Sequence, residues 1–203
     1  MSRSSRVIAA MLIGASALAS AQAAEIAVAS VTASSTFYTY NPVNLINGNG
    51  LSGDLHSGNW EAKWLLDGVN TGNLTFDLGG LYKIGSTTIW NYGPGCCGEG
   101  RSVQDLSISL STDGVNYSEF GAFVLSKPTT DPFGGETLGL GDTTARFVRF
   151  DIKSNYGEAD YTGLSEVKFD GVSAVPEASS LAYGLVGLAA AGLLQRRRHN
   201  AAR

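Results

Sequence analysis

The chain has 203 residues, 43% of them hydrophobic and 16% charged, with 26 glycines, which suits one globular domain with extensions and is too apolar for a disordered chain. Residues 25–175 hold eight of the fourteen Lys/Arg and seventeen of the eighteen Asp/Glu, an acidic body that repels polyphosphate and excludes a nucleic-acid binder. Two cysteines are too few for a disulfide framework or a four-ligand zinc site, so packing must hold the fold.

In chain order, residues 1–24 have the form of a secretory signal. Arg3 and Arg6 make a positive start, Val7 to Leu18 is apolar, and Ala21-Gln22-Ala23 is a small-x-small cleavage pattern. The mature chain is then expected to begin near Ala24, outside the inner membrane. From there the chain shows short runs of β-type residues separated by Gly, Asn and Asp, and no long stretch at helical spacing. Strands are expected over residues 26–33, 74–78, 84–90, 103–111, 117–124, 146–152 and 164–170. Leu106, Ile108 and Leu110 alternate with Ser107 and Ser109, which predicts one buried and one wet face; Val148, Phe150 and Ile152 repeat the pattern. Thr112-Asp113-Gly114 is a tight-turn signal that makes residues 103–124 a hairpin. Many short strands in one domain, 25–173, argue for an all-β sandwich.

Residues 174–203 close the chain with Val175-Pro176-Glu177-Ala178, an apolar run from Leu181 to Leu194, and the cluster Arg196, Arg197 and Arg198. The arginines mark the cytoplasmic side, so a helix over 181–194 is expected to hold the chain in the inner membrane. From Ala178 to Leu194 such a helix covers about 25 Å against a hydrocarbon core of ~30 Å, which makes it a marginal permanent anchor. Pro176 and Glu177, the apolar helix and the arginines together resemble the PEP-CTERM sorting signal of Gram-negative, exopolysaccharide-producing bacteria, with Ala178 where the family has its second proline. The resemblance implies processing after export by an exosortase-like enzyme, and a place in the periplasm, on the cell surface or in the matrix.

Six further pieces, in order, resemble the discoidin domain, also called coagulation factor five/eight type C, of the galactose-binding-like superfamily. They are Asn44-Leu45-Ile46-Asn47-Gly48, Leu74-Thr75-Phe76-Asp77-Leu78-Gly79, Arg101, Ser111-Thr112-Asp113-Gly114 with Tyr117, Arg146-Phe147-Val148-Arg149-Phe150, and Leu164-Ser165-Glu166-Val167. The resemblance implies a jelly-roll β-sandwich whose loops at one end bind ligands, commonly glycans. The Asn49–Gly58 loop and the Gly93–Gly100 insertion depart from the family pattern, so the binding loops are rebuilt here.

Gly48-Asn49-Gly50-Leu51-Ser52-Gly53 has dinucleotide-binding spacing, but no helix follows to meet a pyrophosphate; its glycines mark a loop of unusual dihedrals. That loop offers carbonyls together with Asn47, Ser52 and Asp54, the oxygen chemistry of calcium, and the family resemblance adds Glu166 on the last strand. A structural calcium and a loop held by hydrogen bonds alone are both open. For a glycan, an aromatic face and planar polar groups are needed. His56 and Trp60 sit in a glycine-rich loop that favours exposure, and Asn91, Tyr92 and Arg101 complete the expected ligand-binding set. Tyr156 and Tyr161 are further aromatic candidates, and Trp64 and Trp90 are expected in the core. Arg101 is open to a second role, pairing with Glu99 or Asp105. Cys96 and Cys97 are adjacent in an oxidising compartment and can close a vicinal disulfide, stay reduced, or bridge between chains. With His56 the one histidine of the domain and no Gly-x-Ser-x-Gly elbow, an enzyme is not expected; a small glycoside hydrolase, which needs a carboxylate pair across a cleft, is the less favoured reading. The expectation is an exported, non-catalytic module binding extracellular glycan or exopolysaccharide; the alternative is a structural matrix or adhesion protein with protein partners.

Overall fold

The computed structural model describes residues 22–94 and 99–174. Most of the expected signal, both cysteines, and the sorting tail from Val175 onward lie outside the described residues. The strands are β1 (Ala24–Ile26), β2 (Ser30–Ala33), β3 (Leu51–Ser52), β4 (Leu55–His56), β5 (Trp64–Leu65), β6 (Gly72–Asn91), β7 (Asp105–Ser111), β8 (Ser118–Val124), β9 (Phe133–Gly134), β10 (Glu136–Ile152) and β11 (Gly163–Ser173). Hydrogen bonds link them in the order β1-β11-β6-β10-β7-β8, with β2 added to β6 and β5 to β11, while β3, β4 and β9 form a small separate sheet.

Two long strands build the sandwich. β6 and β10 pair antiparallel, Gly72–Asp77 against Phe147–Ile152 and then Tyr82–Ile89 against Glu136–Ala145, with register shifts after Gly139 and Ala145. Positive φ at Gly79 (75°), Gly141 (63°) and Asp142 (54°) lets both strands bend where the register breaks. The pair doubles back there: one half carries β2, β7 and β8, and the other carries β11 and β1. The two layers face each other across one core, in which Phe76 and Phe150 meet Phe169 of the opposite layer at 5.3 and 6.2 Å between ring centroids. Each of these rings is fully buried, a burial that stabilises by about 1.5–3 kcal/mol.

Folding the pair in half brings all four of its strand ends to one end of the molecule. Asn91 Nδ2 there donates to the carbonyls of Val103 (2.7 Å) and Ser126 (3.0 Å), and Thr162 Oγ1 donates to Asn70 O (2.8 Å). The described chain starts and finishes at the opposite end, where Ala24 pairs with Gly171 and Ala174 N donates to Leu81 O (2.9 Å).

Several strand expectations need correction. The run 26–33 is two strands in different layers, because Ala27–Ala29 crosses between them. The runs 74–78 and 84–90 are one strand bent at Gly79, and β10 begins at Glu136, ten residues before the expected start. Its first half is Gly- and Thr-rich, and the alternation of Leu138 and Leu140 breaks at Gly141-Asp142, so it hides from a period-2 reading. The wet face of β7 is also nearly covered, with Ser107, Ser109 and Ser111 all buried. The hairpin itself is present, with Ser111 Oγ and Asp113 holding the turn.

Candidate functional site

The end that collects the strand termini also collects aromatic rings. Asn41 caps the short 3-10 helix Pro42–Leu45 by accepting from Val43 N (3.0 Å), and Asn59 caps Trp60–Ala62 by accepting from Glu61 N (3.1 Å). Two loops are thereby fixed side by side. Trp60, 44% exposed, lies 5.7 Å from Tyr40; Tyr40 lies 5.9 Å from Phe37, and Phe37 lies edge-on to Tyr161 at 5.0 Å. The guanidinium of Arg101 sits 4.8 Å over the Tyr161 ring and contacts Glu158 at 3.6 Å. Tyr38 adds a ring that is 84% exposed on a backbone with φ of 47°, a conformation bulky residues seldom adopt. The result is a ledge running Trp60, Tyr40, Phe37, Tyr161, Arg101, Glu158.

Of the five expected ligand residues, Trp60 and Arg101 belong to this ledge. Arg101 meets Glu158; Asp105 instead accepts from Ser154 Oγ. Three residues need correction. His56 is fully buried, because its glycine-rich loop folds into the small sheet, pairing His56 with Leu51 and Phe133; its Nδ1 donates to Ser57 O (2.7 Å), and burial pushes the imidazole below its ordinary value. Asn91 is buried and bonded on both sides of its amide. Tyr92 is buried beneath the Lys63 ammonium, 4.4 Å from the ring. Burial pushes the Tyr92 hydroxyl up to about 12, with Tyr40 and Arg101 as polar neighbours. The sequence reading did not select Phe37, Tyr40 or Glu158; the signal for the first two is the aromatic run Phe37-Tyr38-Thr39-Tyr40 ending in the turn pair Asn41-Pro42. Trp64 and Trp90 are in the core, as their apolar neighbours imply.

The expected calcium residues are partly assembled. Glu166 is 1% exposed, and its two carboxylate oxygens face the amide of Gly48 at 3.3 and 3.2 Å. Burial outweighs this long bond and pushes the carboxyl up to about 7, so a cation would find an under-compensated acid. Asn47 folds the same loop, accepting from Asn49 N at 2.8 Å. Asp54 does not join them: it lines a separate groove with Thr88, Trp90, Thr137 and Lys168, and its carbonyl accepts from Trp90 Nε1 (3.0 Å). Ser52 is exposed on β3. Among the described residues no three His, Cys, Asp or Glu side chains converge, so a cation here would rely on Glu166 with loop oxygens, which suits calcium and not a transition metal.

The family model for the F5/8 type C domain matches residues 30–167. The chain belongs to the F5/8 type C domain family. Solved structures similar to this F5/8 type C domain include the CBM32 of AlyQ in complex with 4,5-unsaturated mannuronic acid, 23% identical with a TM-score of 0.55, covering 72% of this chain and 97% of that one. A fucose binding module of Streptococcus pneumoniae is 19% identical at a TM-score of 0.53, covering 72% and 94%. The lectin domain of lectinolysin complexed with Lewis B antigen is 17% identical at 0.54, covering 71% and 94%. Against truncated AlyQ, with CBM32 and alginate lyase domains, the chain spans 35% of the longer protein. These likenesses establish the shared fold. The search of curated proteins returned no match.

Proposed function

We propose that this F5/8 type C domain is a non-catalytic glycan-binding module and that the ledge from Trp60 to Glu158 is its binding surface. The observation that carries the reading is the ring series Trp60, Tyr40, Phe37 and Tyr161, spaced 5.0 to 5.9 Å apart beside the hydrogen-bonding head of Arg101. Sugar CH faces pack on rings, and planar polar groups fix the hydroxyls. The similar modules solved in complex with 4,5-unsaturated mannuronic acid and with Lewis B antigen support this reading.

Export, and tethering through residues 174–203 as a sorting tail cut by an exosortase-like enzyme, belong to the same proposal. The described chain ends opposite the ledge, so a tether would turn the ledge toward the matrix. A mature protein lacking the Arg196–Arg198 cluster by mass measurement is expected; an intact C-terminus would reject the processing. Calcium bound by Glu166 with the Asn47–Ser52 loop is the proposed structural cofactor, neutralising the buried acid and bracing the loop that leads into the ledge.

The test is Trp60→Ala in the full chain, read by pull-down on insoluble polysaccharides and by thermal melting. Trp60 is half exposed, so truncation should cost no more than about 1 kcal/mol of stability while abolishing retention. Retention unchanged, with the fold intact, would reject the ledge as the binding surface.

A further inference from the structure

The cation that the ledge offers is already compensated. Arg101 is held by the Glu158 carboxylate at 3.6 Å, beyond hydrogen-bond length, so the contact is one of charge rather than directed bonding. The same guanidinium sits 4.8 Å over the Tyr161 ring and is a polar neighbour of the buried Tyr92 hydroxyl. Both partners of the pair are largely covered, with side-chain exposures of 16% and 27%, which limits screening by solvent. A second cation, Lys63, lies close by but is 1% exposed and directs its ammonium inward to Gly93 O at 3.1 Å. Exposed carboxylates follow at both ends of the ring series, Glu61 next to Trp60 and Asp160 next to Tyr161.

We infer that Glu158 is a specificity-determining residue that closes the ledge to acidic glycans and reserves it for neutral ones. The inference rests on the ledge being the binding surface. A uronate carboxylate brought to Arg101 must displace or face Glu158, so the like-charge contact opposes the gain from the guanidinium. A neutral sugar makes no such demand: its hydroxyls accept from the guanidinium and donate to the carboxylate together, using both members of the pair. Glu158 is therefore written as a donor-compensating acceptor for hydroxyls and as a repulsive element for acids.

The experiment compares the full chain with Glu158→Gln, Glu158→Ala and Trp60→Ala, by affinity electrophoresis on neutral galactan and glucan and on polymannuronate, at low and at high salt. Glu158 lies in a surface loop, and both isosteric and truncating changes are included so that at least one folded variant, verified by melting, is read. The native chain should prefer a neutral polymer over polymannuronate by about tenfold or more, and Glu158→Gln should narrow that ratio to within about threefold. The gained polymannuronate binding should fall as salt rises. Trp60→Ala should lose both. An unchanged ratio in the folded Glu158 variants, or a native chain that prefers polymannuronate, overturns the inference while leaving the ledge in place. Full retention by Trp60→Ala overturns the ledge itself, and a native chain that binds none of the polymers overturns both.

Discussion

Asn91 uses both sides of its amide within the protein: Nδ2 donates to the carbonyls of Val103 and Ser126, and Oδ1 accepts from the amides of Tyr92 and Val103. In the sequence the same residue, set between two aromatics at the end of an apolar strand, resembles a sugar contact. Its role is to tie the end of β6 to the start of β7 and to the loop after β8. Asn91→Leu keeps the volume but strips four backbone groups, three of them in buried bonds, of their partners, and is expected to destabilise by about 3 kcal/mol or more, measured by urea denaturation. A loss under ~1 kcal/mol would show that water replaces these bonds. Trp60 is the contrasting case, 44% exposed, and its truncation is expected to leave the fold intact. His56 differs from both: a histidine in a Gly-rich segment is a loop residue by composition, yet Phe133, distant in sequence, becomes its strand partner and buries it.

Among the elements, the bent β6/β10 pair carries the architecture, and an ion pair sits near its bend. Arg146 Nε and Nη2 donate to the two Asp77 carboxylate oxygens at 2.8 and 2.9 Å. This bond holds the Asp77 carboxyl below its usual 3.8. In the β7–β8 turn the amide of Asn116 leads a set of donors, with its side-chain amide, Val115 N and Ser111 Oγ, that holds the Asp113 carboxyl well below its ordinary value. Both groups bind protons less readily folded than unfolded. Their contribution is therefore present above about pH 4 and is lost as the pH falls through the folded values. Acid titration of the melting temperature should show this loss, and Asp77→Asn should flatten part of it. Because the pair is partly exposed, its contribution is small. A native and an Asp77→Asn curve of equal slope below pH 4 would show that the pair contributes nothing.

For the whole molecule, the sandwich closes at the bend end and is elaborated at the other, so the described termini and the ledge lie apart. The calcium proposal is decided at this scale, since Glu166 on β11 reaches the Gly48 loop across 118 positions of sequence. A cation held there binds only the folded chain and stabilises by about 2.7 kcal/mol at a hundredfold excess over its dissociation constant. Chelation should then lower the melting temperature and added calcium should restore it. A melting curve indifferent to both would leave Glu166 as a buried acid capping the Gly48 amide.

Some of this was legible in the residues themselves. The alternation of Leu106, Ile108 and Leu110, and of Val148, Phe150 and Ile152, identified core strands because a pleated strand has a period of two. The glycines at 48, 50 and 53 all adopt the positive φ that a glycine-spaced loop without a following helix implies, and apolar neighbours placed Trp64 and Trp90 in the core. These are local properties, determined by a residue and its immediate surroundings. Only the tertiary structure decided which polar and aromatic residues face solvent. Asn91 and Tyr92 are buried because Ser102 and Val103, the loop after β8 and the Lys63 side chain close over them, and Tyr40 and Phe37 join Trp60 and Tyr161 because three separate segments converge where the folded strand pair ends. Burial depends on what arrives from elsewhere in the chain, and no short pattern encodes that arrival.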